Sequence, residues 1–223
     1  MRNICFLMLL AALTWCGCGK PSQSPAPQSQ KATPAASTKH GGRDNVKVVD
    51  AGGHLIWRLK ADKKGYRIYN KDDELVVRLK TAQDHIKAED EGKTFFKLKR
   101  RGKKYKTWVA EDDAKVVLFT YSENDDGGYE LGNSYGELLY TVRREKYGYA
   151  VINGKNQVVC KMKVEEDGVI AESPDGTTLM EMRGSSSAVA ASALALDSFD
   201  MPRRAGLFAF LHQLEAGDIA AGM

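Results

Sequence analysis

The chain repeats one hairpin. Between Gly65 and Lys80 it reads GYRIYNKDDELVVRLK, and the same frame recurs without a gap at Gly148–Lys163 as GYAVINGKNQVVCKMK. Apolar residues alternate with polar ones: Tyr66 and Ile68, then Leu75, Val77 and Leu79, against Arg67, Arg78 and Lys80. A period of two sends successive side chains to opposite faces of a strand, so each half can bury one face and wet the other. Asn70-Lys71-Asp72-Asp73 between the halves is a turn cluster. Gly128–Arg143 (GYELGNSYGELLYTVR) fits the same frame, and weaker copies keep chiefly the second strand, at Leu55–Lys60, Thr94–Lys99, Val116–Thr120 and Leu179–Arg183. A steady period of about twenty residues marks an array of one supersecondary unit, each copy needing its neighbours to bury its apolar side.

The units start near Val46, Tyr66, His85, Tyr105, Tyr129, Tyr149 and Val169. Residues 45–184 are therefore expected to be mainly β, an antiparallel meander of about 12–14 strands. A sheet of that size curls or closes, and closure removes its exposed edges. The expectation is a closed barrel; an open shell or spiral of hairpins is the alternative.

Residues 185–217 change character. Ser185–Ser187 can cap a helix reading AVAASALAL, small or apolar on every side, which belongs in a core and is too short to span a membrane. Asp200 can cap a second helix with Pro202 in its first turn, ending at Gly217. Leu207, Phe210, Leu211 and Leu214 form its stripe, with Arg204, Gln213 and Glu215 off it. The first helix is expected to plug the barrel and the second to close its mouth; 218–223 is a tail.

Residues 1–17 carry Arg2, an apolar run Ile4–Leu13 and a cysteine-containing end. A charged start and a short apolar core make a secretory signal. Its ending resembles bacterial lipoprotein signals, in which a cysteine becomes the acylated amino terminus. Cys18 follows the small Gly17 and is the expected attachment site, with Cys16 as the alternative. That resemblance implies a protein held by acyl chains in the cell envelope, at the outer membrane. Residues 18–44, rich in Pro, Ser, Gln and Ala without apolar periodicity, form a flexible tether.

The hairpins, together with the late apolar segment AVAASALAL, resemble the tubby-like barrel families, which include LURP-one-related proteins and phospholipid scramblases. The resemblance implies a closed barrel of about twelve strands around a C-terminal hydrophobic helix, and contact with lipid. Seven hairpins are two strands more than that pattern, so an end unit is expected outside the barrel. The repeats are also similar to YD-type hairpin repeats, which build shells or spirals.

A net charge of +4 is too modest for a nucleic-acid-binding domain. One segment stands out locally: KLKRRGKKYK, with Lys97, Lys99, Arg100, Arg101, Lys103, Lys104 and Lys106. Read as two strands turning at Arg101-Gly102, it places Lys97, Lys99, Lys104 and Lys106 on one face, where like charges repel across the strand pair. An anionic phospholipid headgroup or envelope polymer would relieve this, each basic residue near such a surface contributing about 1 kcal/mol. The expected partners are the membrane, through the acyl anchor, with anionic lipid or an envelope protein; no cofactor or metal is expected. A lipid carrier with an open β-cavity is the second reading.

Gly132-Asn133-Ser134-Tyr135-Gly136 matches the G-x-S-x-G form of a hydrolase. That chemistry needs a helix after the serine, whereas Glu137–Arg143 reads as a strand. Glu123–Gly128 hints at a calcium loop without its first and last acidic ligands. The folded part carries one cysteine, Cys160, at the repeat position of Val77, where a small buried hydrophobe is expected.

Overall fold

The computed structural model describes residues 45–217 except 83, 102–105 and 185–186. The signal, the tether, both candidate acylated cysteines, Lys103, Lys104 and the tail lie outside the described residues. Fourteen strands follow one another among them: β1 Asn45–Asp50, β2 Leu55–Asp62, β3 Gly65–Asn70, β4 Leu75–Thr81, β5 Ile86–Asp90, β6 Lys93–Arg100 and β7 Thr107–Glu111. The second half comprises β8 Val117–Glu123, β9 Tyr129–Asn133, β10 Leu138–Glu145, β11 Gly148–Asn153, β12 Val158–Glu165, β13 Gly168–Glu172 and β14 Thr178–Arg183. Each pairs antiparallel with the next, and β1 pairs with β14, Lys47 opposite Arg183, which closes the barrel. All seven hairpins are in the wall; no end unit is left over. Closure also rules out the open shell, because the two edges that a spiral would leave are bonded to each other.

The repeat is legible in atoms. At the turns, Asn70 Oδ1 accepts from the backbone N–H groups of Asp72 and Glu74 at 2.9 Å each, and Asn153 Oδ1 from Lys155 and Gln157 at 3.0 Å each. Asp50 and Asn133 do the same in their own turns. Such side-chain caps are why Asn and Asp recur there. Just past each turn the pairing slips by one residue, as between Ile68 and Tyr69 or Val151 and Ile152, so every hairpin carries a bulge in the same place. Bulges sharpen the twist and bend a strand, which a closed wall requires. The glycine opening the motif has a packing reason. At Gly65 and Gly148, with φ of +147° and +139°, a Cβ would lie 2.2 Å from the Leu79 carbonyl oxygen and 2.1 Å from that of Met162.

Inward residues fill the interior: Tyr66, Ile68, Val77 and Leu79 in the founding hairpin, and Phe96, Trp108, Phe119 and Tyr121 farther round, all buried. The C-terminal segment completes this core. Helix α1, Ala188–Ser192, is capped by Ser187, whose Oγ accepts from Ala190 N at 3.0 Å. It runs into a 3-10 turn, Ala193–Ala195. Helix α2, Met201–Glu215, is capped by Asp200, accepting from Arg203 N at 3.0 Å, with Pro202 in the first turn.

The two helices pack on each other inside the wall, and their roles differ from the sequence expectation. Helix α2 does not lie across the mouth on one stripe. Residues Ala205–Gln213 are buried without interruption, so every side of it faces protein. It meets β3–β6 and α1 meets β11–β13, and together they form a hairpin that occupies the barrel. The Gln213 amide nitrogen donates to Thr81 Oγ1 at 2.6 Å, while its Oε1 is buried without a hydrogen-bond partner among the described residues. His212 packs edge-on against Tyr66, ring centroids 5.3 Å apart. Among the described residues, no helix is long and apolar enough to cross a membrane.

Candidate functional site: a basic outer face and a rim pocket

With inward positions committed to the core, the alternate register of each strand faces outward. On β1–β6 that register is cationic. Lys47 stands opposite Arg58; Lys60 opposite Arg67, and Arg67 opposite Arg78; Lys80 opposite Lys87, and Lys87 opposite Lys97. Five like-charged pairs thus lie side by side across six neighbouring strands, each opposing folding by a fraction of a kcal/mol on the scale of about 0.2–1 kcal/mol for cross-strand pairs.

Carboxylates offset part of this. Glu89 receives both Lys80 and Lys87, the latter at 2.7 Å, and hydrogen bonds from the two lysines hold its carboxyl below the usual range. Arg58 pairs with Asp73, Arg67 with Asp62 at 2.8 Å, and Lys60 lies over the Tyr69 ring at 5.0 Å. Two cations are left over. Among the described residues Lys47 makes no hydrogen bond or ion pair, and Arg78, whose Nε is buried without a hydrogen bond, touches no carboxylate, although its charge helps to hold the Asp62 carboxyl low.

The basic segment singled out in the sequence sits at the end of this row, with a different geometry from the one expected. Strand β6 ends at Arg100 and β7 begins at Thr107, so Lys106 precedes the strand instead of lying on it. Opposite Lys97 on β7 stands Glu111, and opposite Lys99 stands Val109. Among the described residues no cation on β7 therefore stands opposite Lys97 or Lys99, and the like-charged neighbour is on the other flank, Lys87 opposite Lys97. Lys97 reaches Asp113 at 2.6 Å, Lys99 reaches Glu111 at 2.8 Å, and Lys106 reaches Glu123 at 3.3 Å. Exposed pairs of this kind are each worth about 0–1 kcal/mol and yield readily to another anion. Lys99, Arg100 and Arg101 line an open depression of about 340 Å³ with Val109 and Val117, and Arg100 Nε is buried there without a hydrogen-bond partner among the described residues.

A second concavity, which the sequence did not announce, lies at the rim where the odd-numbered strands begin. It measures about 370 Å³ and is lined by Tyr121, Glu123, Tyr149, Leu211, Leu214 and Glu215, with Lys106 at its edge. Burial raises the hydroxyls of Tyr121 and Tyr149 above their ordinary range. Glu215 is an exposed residue, and it is the neighbouring rim covering part of its carboxyl that pushes it up to about 7. Sequence reading placed Glu215 simply off the helix stripe. Its neighbours come from β8 and β11, close only through the barrel.

The other sequence candidates resolve into structure. Ser134 sits exposed in the β9–β10 turn, followed by a strand, while His212 is buried in the interior. Asp126 Oδ1 accepts from Gly128 N at 2.9 Å within the β8–β9 connection, the role of a turn former. Cys160 is a buried free thiol, pushed up to about 11 by burial.

No family model matches the chain, and no curated protein is similar to it. Among solved structures it is similar to a protein from Arabidopsis thaliana, at 17% identity and a TM-score of 0.35, over 55% of this chain and 88% of that one.

Proposed function

We propose that the protein is a lipid-anchored, non-enzymatic interaction module of the cell envelope, whose barrel meets anionic lipid or an anionic envelope polymer with its β1–β6 face. One observation carries this: a row of cations held opposite one another by strand register, in which Lys47 makes no hydrogen bond or ion pair among the described residues and Arg78 touches no carboxylate, sharing only the field of the Asp62 that Arg67 engages. Folding gains nothing from placing such charges together, and a polyanion gains from all of them at once. Acylation at Cys18, or at Cys16, would keep this face near a membrane. A closed barrel around C-terminal helices is what the tubby-like resemblance implies, though with fourteen strands in place of about twelve.

The carrier reading has less support, since α1 and α2 occupy the space an acyl chain would need. Co-sedimentation of the unacylated protein with phosphatidylglycerol vesicles, against phosphatidylcholine vesicles, tests the surface reading. Binding is expected only to the anionic vesicles, to fall as salt rises, and to weaken in the triple variant Lys47→Gln, Arg78→Gln, Lys97→Gln. Equal binding to both vesicles, or an unaffected triple variant, removes it.

A further inference from the structure

The cations of the β1–β6 face form a continuous stair, and its shape limits what could cover it. Lys47, Arg67 and Lys87 recur at intervals of twenty residues, one on each odd strand. On the even strands between them, Arg58 and Lys60 recur as Arg78 and Lys80 at the same interval. Pairing turns this repeat into three rows. Arg183, Lys47 and Arg58 stand side by side across β14, β1 and β2. Lys60, Arg67 and Arg78 do so across β2, β3 and β4, and Lys80, Lys87 and Lys97 across β4, β5 and β6. Each row ends against a residue that is not a cation: Tyr69, Glu89 or Glu111. The second and third rows begin two residues farther along the strand on which the one before stopped.

The stair is long, narrow and curved. Neighbouring strands lie about 4.8 Å apart and residues i and i+2 about 6.7 Å, so its backbone positions follow one another over roughly 40–45 Å. From β14 to β6 it crosses six of the fourteen strand intervals, about 150° of the barrel wall. Arg183 and Lys97 therefore point away from each other, and a flat bilayer tangent to the wall meets one row at a time. The nine cations engage five carboxylates, Glu181, Asp73, Asp62, Glu89 and Asp113, which leaves an excess of four positive charges. Asp73 and Asp113 are themselves well exposed, so these pairs exchange readily for another anion. A single headgroup meets a small part of this excess. A flexible chain of regularly spaced anions meets all of it, because each contact after the first is intramolecular.

We propose, on the reading of the β1–β6 face as an anion-binding surface, that the stair binds a linear acidic polysaccharide, one carboxylate per sugar residue, wrapped round the wall from Arg183 to Lys97. The strands set the spacing of the cations, and the twenty-residue repeat sets the path.

Fluorescence anisotropy of labelled oligogalacturonates with the unacylated protein tests this. Binding should tighten at least about tenfold between a tetramer and a decamer and then level off, since the decamer already spans the rows. Removing one end of the stair with Arg183→Gln and Lys47→Gln, or the other with Lys87→Gln and Lys97→Gln, should each return the decamer toward tetramer affinity, with circular dichroism confirming an intact fold. Lys146→Gln with Lys155→Gln, the same charge change at exposed turns on the opposite wall, should leave binding unchanged. A decamer no tighter than a tetramer, a loss at only one end of the stair or at neither, or an equal loss in the control pair overturns the proposal. If phosphatidylglycerol vesicles still bind in that case, the anionic partner of the face is a bilayer; if they do not, the surface reading falls as well.

Discussion

The Tyr129 hydroxyl and the Ser192 hydroxyl meet at 2.7 Å inside the barrel, joining β9 to the end of α1. Ser192 also donates to the Val189 carbonyl at 2.6 Å, so the wall, the helix and the helix backbone share one small polar network in an otherwise apolar interior. Deleting the serine hydroxyl strands Tyr129, while deleting the tyrosine hydroxyl leaves Ser192 only its bond to the Val189 carbonyl. Tyr129→Phe and Ser192→Ala are each expected to cost about 1–3 kcal/mol, the penalty for an unsatisfied buried group. The double variant should cost less than the two singly summed, a coupling visible in urea denaturation. Strict additivity would mean that the contact does not exist in solution.

Phe210 tests whether α2 is core. It is fully buried and packs edge-on against Trp108 and Tyr121, at centroid distances of 5.3 and 5.4 Å. Phe210→Ala should therefore destabilise the whole domain by about 3–5 kcal/mol, through lost burial and the cavity left behind. A helix lying across the mouth would show a much smaller change, and the wall would melt separately from it. A single cooperative transition, shifted strongly downward, is the expected result.

Gly148 probes the repeat glycine. Alanine there would bring its Cβ against the Met162 carbonyl in a backbone region that side chains rarely adopt. Gly148→Ala is expected to cost more than the ~1 kcal/mol by which glycine and alanine differ in unconstrained settings. Gly176→Ala is the control: its φ is also positive, at +91°, but nothing lies within 4 Å of the added atom. The difference between the two variants in thermal melts isolates the steric part.

Stability should depend on pH through Glu215. Its carboxyl stands at about 7 in the folded chain against an ordinary 4.5, so the folded state binds this proton more tightly than the unfolded one. That contribution is complete below about pH 4.5 and is lost as pH rises toward 7. Lys106, Glu123 and Asp125 share the pocket, and solvent at the exposed edge of Glu215 keeps the effect small. Glu215→Gln should gain on the unmodified protein between about pH 5 and about pH 8, read as urea midpoints. Glu89 and Asp113, held low by their lysines, work in the opposite direction and only under more acidic conditions, since their contribution is lost as pH falls. Parallel pH profiles for variant and parent would show that Glu215 titrates as an ordinary surface carboxyl.

Much of the architecture could be read from the chain because it is written in local signals. The alternation around Tyr66 and Val77, the turn asparagines and the glycine before each tyrosine act within a single hairpin. What escaped depends on register. Helix α2 read as one-sided because Arg204 and Gln213 are polar, yet Arg204 donates to the Phe199 carbonyl at 2.8 Å and Gln213 to Thr81. A polar residue that finds a hydrogen bond inside a core carries no mark in the sequence to distinguish it from one on the surface.

The candidate surfaces divide in the same way. Lys97 and Lys99 stood out as a run, but their partners Asp113 and Glu111 lie on the far side of a turn. Arg58 lies in one repeat and Arg67 and Arg78 on the two strands of the next, and they became a row only once the strands were paired. Glu215 acquires its neighbours Tyr121 and Tyr149 from across the barrel.

The seam between β1 and β14 bears on how the molecule responds to force. Tension arriving at Asn45 runs lengthwise along β1, which is bonded on one side to β2 and on the other to β14. Ladder bonds lie crosswise to the strand, so both rows would have to shear together instead of peeling one at a time. The polypeptide is gripped where it enters, and a tug on the leading segment is borne by the staves of the cask before it is felt by anything inside.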